Sequence, residues 1–250
     1  MKDTTKRFSD RVENYIKYRP TYPKELIDYL FEVVEFKEDS TVADIGSGTG
    51  IFTKLLIDKV ETIYAVEPNN EMRTAAIRLL GKFSNCFSIH GTAEETTLEN
   101  NSIDFITSAQ AFHWFNIPKA KLEFNRILKP GGKLILIWNS RINNTEFLKV
   151  YEEALKTYAT DYNEVNHQNL NDNDFQKCFS SNYTKAVFDN YQEFNFEGVM
   201  GRLLSSSYAP EEGTENFLEL EKVLFKAFEN FSIENTVRFN YKTEVYWGNV

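Results

Sequence analysis

Two carboxylates and a run of glycines are the residues of this chain whose types and spacing best suit chemistry. Residues 42–50 read VADIGSGTG, an apolar strand entering a glycine-rich turn that opens a helix. In an open α/β sheet, ligands bind at such a turn, outside the carboxyl end of the strands. Gly46, Gly48 and Gly50, with Ser47 between them, permit the tight turn and bring backbone close to a ligand. Asp44 stands two residues before Gly46, and Glu67 ends the run of YAVEP that reads as strand, 23 residues after Asp44 (67 − 44). A carboxylate beside the turn suits a cationic group and is a poor neighbour for a pyrophosphate. A carboxylate at the end of the second strand can accept hydrogen bonds from both hydroxyls of a ribose.

A second set lies further along the chain. AQAFHWF at 109–115 puts Gln110, His113 and Trp114 at the mouth of a site on the same side of the sheet. His113 is the candidate general base, since an imidazole with a pKa of about 6.5 can accept a proton at neutral pH; beside Phe112, Trp114 and Phe115 it is equally suited to a structural role. GRLLSSSYAP at 201–210 gathers Arg202, Ser205, Ser206, Ser207 and Tyr208 at a helix end. That cluster could hold an anionic group or simply cap the helix. Trp138 and Arg141, at the end of the fifth strand, are further candidates for the same pocket.

The glycine spacing is D-x-G-x-G-x-G, and Ile51 stands where a dinucleotide fingerprint has its third glycine, which points away from NAD. A ribose, a glycine turn and an extra carboxylate for an ammonium together describe S-adenosylmethionine. The sequence has no Gly-x-Ser-x-Gly elbow, no P-loop and no set of acids and histidines at metal-ligand spacing, so no metal is expected.

The elements that must position these residues follow from periodicity. Strand-like runs at 41–45, 62–66, 85–89, 102–108 and 133–139 alternate with helical patterns, which argues for a parallel sheet covered on both faces. Met72, Ala75, Ala76, Leu79 and Leu80 share one helix face, and Gly81 ends that helix. Leu26, Ile27, Leu30, Val33 and Val34 form another stripe, with Pro23 at its first turn. PGG at 130–132 turns the chain into the fifth strand. Helices are expected near 144–158 and 172–179, strands at 183–189 and 236–247, and between those two strands a mainly helical insertion striped by Phe217, Leu220, Leu224, Ala227 and Phe231. NHQNLNDND at 166–174 reads as a polar surface loop.

With 250 residues, 42% hydrophobic and including 21 Phe and 13 Tyr, the chain can form one packed core with a lined pocket. Its formal charge of −9 and lack of a basic run argue against nucleic acid as a partner. No apolar run reaches membrane-spanning length and the N-terminus has no signal-peptide core, so no membrane partner and a cytoplasmic location are expected. Cys86 and Cys178 read as free thiols. The expected assembly is a monomer or homodimer.

DIGSGTG, AVEP, GTAEET at 91–96, SIDFITSAQAFHWF at 102–115 and ILKPGGKLIL at 127–136 occur in the order and spacing of class I S-adenosylmethionine-dependent methyltransferases. The resemblance covers about residues 7–140. FSDRVENYIKYRPTYP and AQAFHW resemble more particularly the small-molecule branch of trans-aconitate methyltransferase-like proteins. The resemblance implies a Rossmann-like α/β sheet, mostly parallel with an antiparallel last strand, with helices on both faces and a helical insertion between the last two strands. It also implies a single domain over 1–250, with an N-terminal lid at 1–23, a cofactor-binding core at 41–140 and a helical substrate cap at 190–235.

By the same resemblance, Gly46 to Gly50 pass beneath the methionine part of S-adenosylmethionine, Glu67 holds the ribose, and Thr92, Ala93 and Glu94 border the adenine. Many relatives have Asp where this chain has Thr92, so the contact to the adenine amino group is in question. Pro68, Asn69 and Met72 line the ring, Ala109 and Gln110 complete the cofactor set, and Tyr15, Tyr18 and Arg19 form a lid, with Arg19 suited to the cofactor's carboxylate. The implied activity is methyl transfer to a small-molecule acceptor, a carboxylate or a hydroxyl. Two other readings stay open: an NAD- or nucleotide-binding oxidoreductase on the same sheet, and a non-catalytic S-adenosylmethionine-binding protein.

Overall fold

The computed structural model describes residues 11–160, 162, 172–180 and 182–250. The first ten residues of the expected lid and most of the polar loop at 166–174 lie outside them. Seven strands form one sheet in the order β3-β2-β1-β4-β5-β7-β6. Their ranges are β1 (Thr41–Ile45), β2 (Thr62–Val66), β3 (Cys86–Ile89), β4 (Ile103–Ala109), β5 (Leu128–Arg141), β6 (Thr184–Phe194) and β7 (Val237–Gly248). β1 pairs in parallel with both β2 and β4, so the strand order reverses at β1 and opens a crevice beyond its carboxyl end. β7 pairs antiparallel with both β5 and β6, and it is the strand that runs against the rest. This is the Rossmann-like sheet expected from the sequence.

Alternation along the strands assigns the two faces. Val42, Ile63, Phe105, Ile135, Ile137 and Val245 pack with Leu26, Leu30 and Leu56, which brings in α2 (Lys24–Glu32) and α3 (Thr53–Leu56). Ala43, Ile45, Ile106, Leu134, Leu136, Trp138 and Tyr246 face the other way, onto Phe124, Ile127 and Phe175 of α5 (Ile117–Ile127) and α7 (Asp172–Cys178). α4 (Asn70–Leu80) is started by the Asn69 side chain, which accepts from the backbone N–H of Met72. Leu79, expected on its buried stripe, is 42% exposed, because Leu80 and Ala76 take the inward direction.

A third cluster joins helices of the expected cap region to one that precedes it. Phe147, Leu148, Tyr151 and Leu155 of α6 (Glu146–Tyr158) pack with Val199 and Leu203 of α8 (Phe196–Leu204) and with Leu220, Leu224 and Phe228 of α9 (Glu215–Phe231). Phe239 and Tyr241 of β7 join them. The helical part of the insertion starts later than the sequence suggests, since β6 continues to Phe194 in register with Val237. β5 likewise begins at Leu128, and a register shift between Ile103 and Phe105 absorbs the PGG segment. The N-terminal α1 (Val12–Tyr18) lies against α8 and its flanks: Tyr18 Oη donates to Glu197 of α8 (3.0 Å), Gln192 Nε2 of β6 donates to the Tyr18 carbonyl (3.2 Å), and Arg11 donates to the carbonyls of Ser206 and Ala209 after α8. Among the described residues no helix is long and apolar enough to cross a membrane, and no group of three or more His, Cys, Asp or Glu could hold a metal ion.

Candidate active site

The glycine turn after β1 is fixed from two sides. The N–H groups of Gly46 and Ser47 both donate to the carbonyl of Val66, at 2.9 and 3.1 Å. Gly46 has φ of +71°, and a Cβ there would meet the Ala111 Cβ at 2.4 Å, so only glycine lets the segment after β4 close on the turn. The Glu67 carboxylate accepts from Gly48 N–H (2.9 Å) through Oε2 and from Asn69 N–H (2.8 Å) through Oε1. One buried side chain thus ties the turn after β1 to the turn after β2, a role the sequence did not suggest. Burial pushes its pKa up while those two N–H groups work against the shift. Each carboxylate oxygen keeps a second acceptor direction for a ligand hydroxyl.

Asp44 is 1% exposed and accepts from the hydroxyls of Thr53 (2.6 Å) and Thr107 (3.1 Å). No Lys, Arg or His of the described residues forms a salt bridge with it. Burial therefore raises its pKa to about 6, partly opposed by the two hydroxyls. A cationic ligand group beside it would restore the ordinary carboxylate behaviour. The buried Ser47 hydroxyl nearby has no hydrogen-bond partner.

Two adjoining chambers open from this turn, sharing Tyr15, Gly46, Ala109, Gln110 and Trp114 as walls. Glu67, Gly48, Pro68, Asn69, Met72, Thr92, Ala93 and Glu94 line the first. The Thr92 hydroxyl is already engaged, accepting from the N–H groups of Glu94 (3.3 Å) and Glu95 (3.2 Å). Glu94 accepts from Asn116 N–H at 2.7 Å. The second chamber is lined by Arg19, Asp44, Ser47, His113, Arg141, Arg202 and Tyr208 among the residues expected from the sequence. Gln110 sits at φ +60°, a strained left-handed conformation for a side-chain-bearing residue, and is held by Nε2 donating to the Asn139 carbonyl (3.2 Å). It turns the chain from β4 into the single 3-10 turn Phe112–Trp114, whose Phe112 is fully buried while His113 and Trp114 face the chamber.

Four expected residues, Trp138, Ser205, Ser206 and Gly50, line neither chamber. Trp138 is buried among Phe112, Phe175 and Tyr246 on the opposite face of the sheet, because it shares the alternation of Leu134 and Leu136. Ser206 lines neither chamber; its hydroxyl accepts from Arg202 Nη1 at 2.9 Å. Gly50 also lines neither and packs against Leu80 and Ala76. Residues missed by sequence reasoning include Tyr22, Asn139, Glu152, Tyr162 and Tyr241. Period-two alternation in β5 would have found Asn139, one step after Trp138; Glu152, Tyr162 and Tyr241 have no local motif.

Residues 43–136 match the protein-family profile described as a methyltransferase domain. An uncharacterized methyltransferase of Mycobacterium tuberculosis is 37% identical over 140 residues, covering 56% of this chain and 55% of the relative. The chain spans between 55% and 60% of the length of the first curated relatives it matches. A Dictyostelium discoideum protein provisionally named as a methyltransferase is 29% identical over 233 residues, 89% of this chain and 86% of that protein. A solved structure from Anaeromyxobacter dehalogenans, provisionally described as a type II methyltransferase, superposes with a TM-score of 0.65 at 19% identity, covering 93% of this chain and 98% of that one. That last likeness is one of fold.

Proposed function

We propose that this protein is an S-adenosylmethionine-dependent methyltransferase whose acceptor is a small molecule carrying an anionic group. The observation that carries the reading is the pair of buried carboxylates on either side of the glycine turn, Asp44 without a cationic partner and Glu67 at the end of β2, each lining a different one of two joined chambers. In this reading Asp44 takes the ammonium of the cofactor's amino-acid part and Arg19 its carboxylate. Glu67 takes the ribose hydroxyls, and Pro68, Met72, Ala93 and Glu94 surround the adenine. With Thr92 turned to its own loop, the backbone of Ala93 is left to recognise the adenine edge.

The cofactor supplies an electrophilic methyl group on a sulfonium, and its transfer is an in-line displacement that leaves the breaking bond's electron pair on sulfur. The protein's part is orientation and electrostatics. Trp114, Gln110 and Tyr15, which wall both chambers, flank the line of transfer. His113 accepts the proton of a hydroxyl or amine acceptor; an acceptor atom that arrives ionised has no proton to lose. α1 and the residues after it, anchored on α8, close over both chambers as a lid, and the α8–α9 cap completes the acceptor side.

Labelled methyl transfer from S-adenosylmethionine to a panel of small carboxylic acids, each also bearing a hydroxyl, an amine or a second carboxylate, tests the proposal. Transfer to at least one acid, and none to its neutral primary amide, is the expected result. Transfer confined to neutral acceptors, or no affinity for the cofactor, would overturn it.

A further inference from the structure

The acceptor chamber contains three arginines whose charges are matched in different ways. Arg141 donates through Nη2 to Glu152 Oε2 at 2.6 Å and to Tyr162 Oη at 3.1 Å, and Tyr162 Oη in turn donates to Glu152 Oε2 at 2.7 Å. The Arg141 and Glu152 side chains are only 10% and 15% exposed. Burial pushes the Glu152 pKa up, but the Tyr162 hydroxyl and the Arg141 guanidinium outweigh it and hold it below the ordinary value, so Glu152 is ionised and cancels Arg141. Lys156, which lines neither chamber, has Glu153 as its nearer partner, at 2.8 Å against 3.9 Å to Glu152.

Arg202 is different. It is 5% exposed, and its partners are the hydroxyls of Tyr241 (3.3 Å), Ser205 (3.4 Å) and Ser206 (2.9 Å). No carboxylate of the described residues forms a salt bridge with it. Arg19 also lacks a carboxylate, donating to the Ser205 carbonyl at 3.0 Å, but in the functional reading above it serves the cofactor. The excess positive charge is felt by Tyr208: burial pushes its pKa up, yet Arg202, Arg141 and Arg19 together pull it below the ordinary phenol value. A guanidinium buried without a counter-charge is costly, and one anion brought by a ligand relieves it.

We propose that the arginine end of the acceptor chamber holds one anionic group and no more, with Arg202 as its anchor, and that Glu152 sets this number by neutralising Arg141. The proposal rests on the methyltransferase reading, which assigns Arg19 to the cofactor. Arg202 does not wall the chamber given to the cofactor's nucleoside, whereas Gln110 and Trp114 wall both chambers. On this proposal the anchored anion and the methylated atom are separate groups of the acceptor.

The test is calorimetric titration of enzyme saturated with S-adenosylhomocysteine, which carries no sulfonium charge. The probes are matched acids with one carboxylate or two adjacent ones, benzoate against phthalate and hexanoate against butylmalonate. Wild type is expected to bind the monoacid of each pair at least tenfold more tightly. Glu152→Gln keeps acceptors for Tyr162 and Arg141 while removing the charge, and should move the ratio at least tenfold toward the diacid. Glu152→Asp should keep the wild-type preference, and Arg202→Gln should lose both classes. A wild-type preference for the diacids, or an unchanged ratio in Glu152→Gln, would overturn the role of Glu152 while leaving the methyltransferase reading intact. Product binding without binding of any acid would overturn both this inference and the anionic acceptor; failure to bind the product itself would remove the methyltransferase reading on which it stands.

Discussion

The two chambers share five wall residues yet are built by different means. The first draws its walls from short contiguous segments that follow β1, β2, β3 and β4: Gly46 and Gly48, then Glu67 to Met72, Thr92 to Glu94, and Ala109 to Phe115. Its charged side chains are the carboxylates of Glu67 and Glu94. The second takes Tyr15 and Arg19 from the N-terminal segment, Arg141 from β5, Glu152 from α6, Arg202 and Tyr208 from the cap, and Tyr241 from β7. Three guanidiniums and several phenols stand among its polar groups, beside the carboxylates of Asp44 and Glu152. The crevice at a strand-order reversal supplies a site by topology alone, whereas the second chamber exists only because the cap folds back on β7. A defect at the Arg202 end of the second chamber should therefore leave cofactor binding largely alone.

The largest effect that would sharpen this division belongs to His113. It lies in the second chamber but on the turn after β4, so His113→Ala should leave cofactor affinity nearly unchanged while turnover falls about 10²- to 10⁴-fold if the imidazole is the base. Steady-state rates with the acceptor found by screening, set beside a cofactor titration, measure both. Wild-type turnover would return His113 to a structural role and favour an acceptor atom that binds already ionised.

Asp44 tests the division from the opposite direction, since it lines the second chamber and is assigned to the cofactor. Asp44→Asn should weaken cofactor binding by about 1.5–3 kcal/mol, roughly 10- to 150-fold near pH 7, through loss of a charge-assisted contact. Because the free protein holds the Asp44 pKa at about 6, wild-type cofactor affinity should be flat above that pH and fall about tenfold per unit below it. Stability of the cofactor-free protein should move the other way. A carboxyl whose folded pKa lies above its ordinary 3.8 stabilises the fold below pH 3.8, and this is lost as pH rises through about 6. The loss is of the order of 3 kcal/mol, and it should be missing from Asp44→Asn in denaturant titrations across that window. A cofactor affinity independent of pH between 5 and 7 would separate Asp44 from the ammonium.

The same contrast explains what the sequence reveals. β1, β2 and the turn between β1 and α3 are legible because strand, glycine spacing and carboxylates follow one another within a few residues, and local sterics fix their relation. The antiparallel β7 and the helical insertion are legible from length and periodicity. Trp138 was misread because a strand end looks alike from either side until alternation is counted from Leu134. The Arg141–Glu152–Tyr162 group joins three segments related only by how α6 packs on the cap, and no local spacing encodes that. Nor does spacing tell that Glu67 spends both oxygens on the turns it borders; a motif gives a residue's type and position, while its hydrogen-bond partners come from the fold.

Cofactor affinity measured side by side in Glu67→Ala and Arg202→Gln tests the account most directly, because each variant removes one charge from one chamber. By isothermal titration with S-adenosylmethionine, Glu67→Ala should lose roughly 10- to 150-fold, for two ribose hydrogen bonds to a charged group worth about 1.5–3 kcal/mol, while Arg202→Gln stays within about twofold of wild type. A folded Glu67→Ala protein with wild-type affinity, or an Arg202→Gln protein that loses the cofactor as severely, would contradict the assignment of the first chamber to the cofactor's nucleoside and of the Arg202 end of the second to the acceptor.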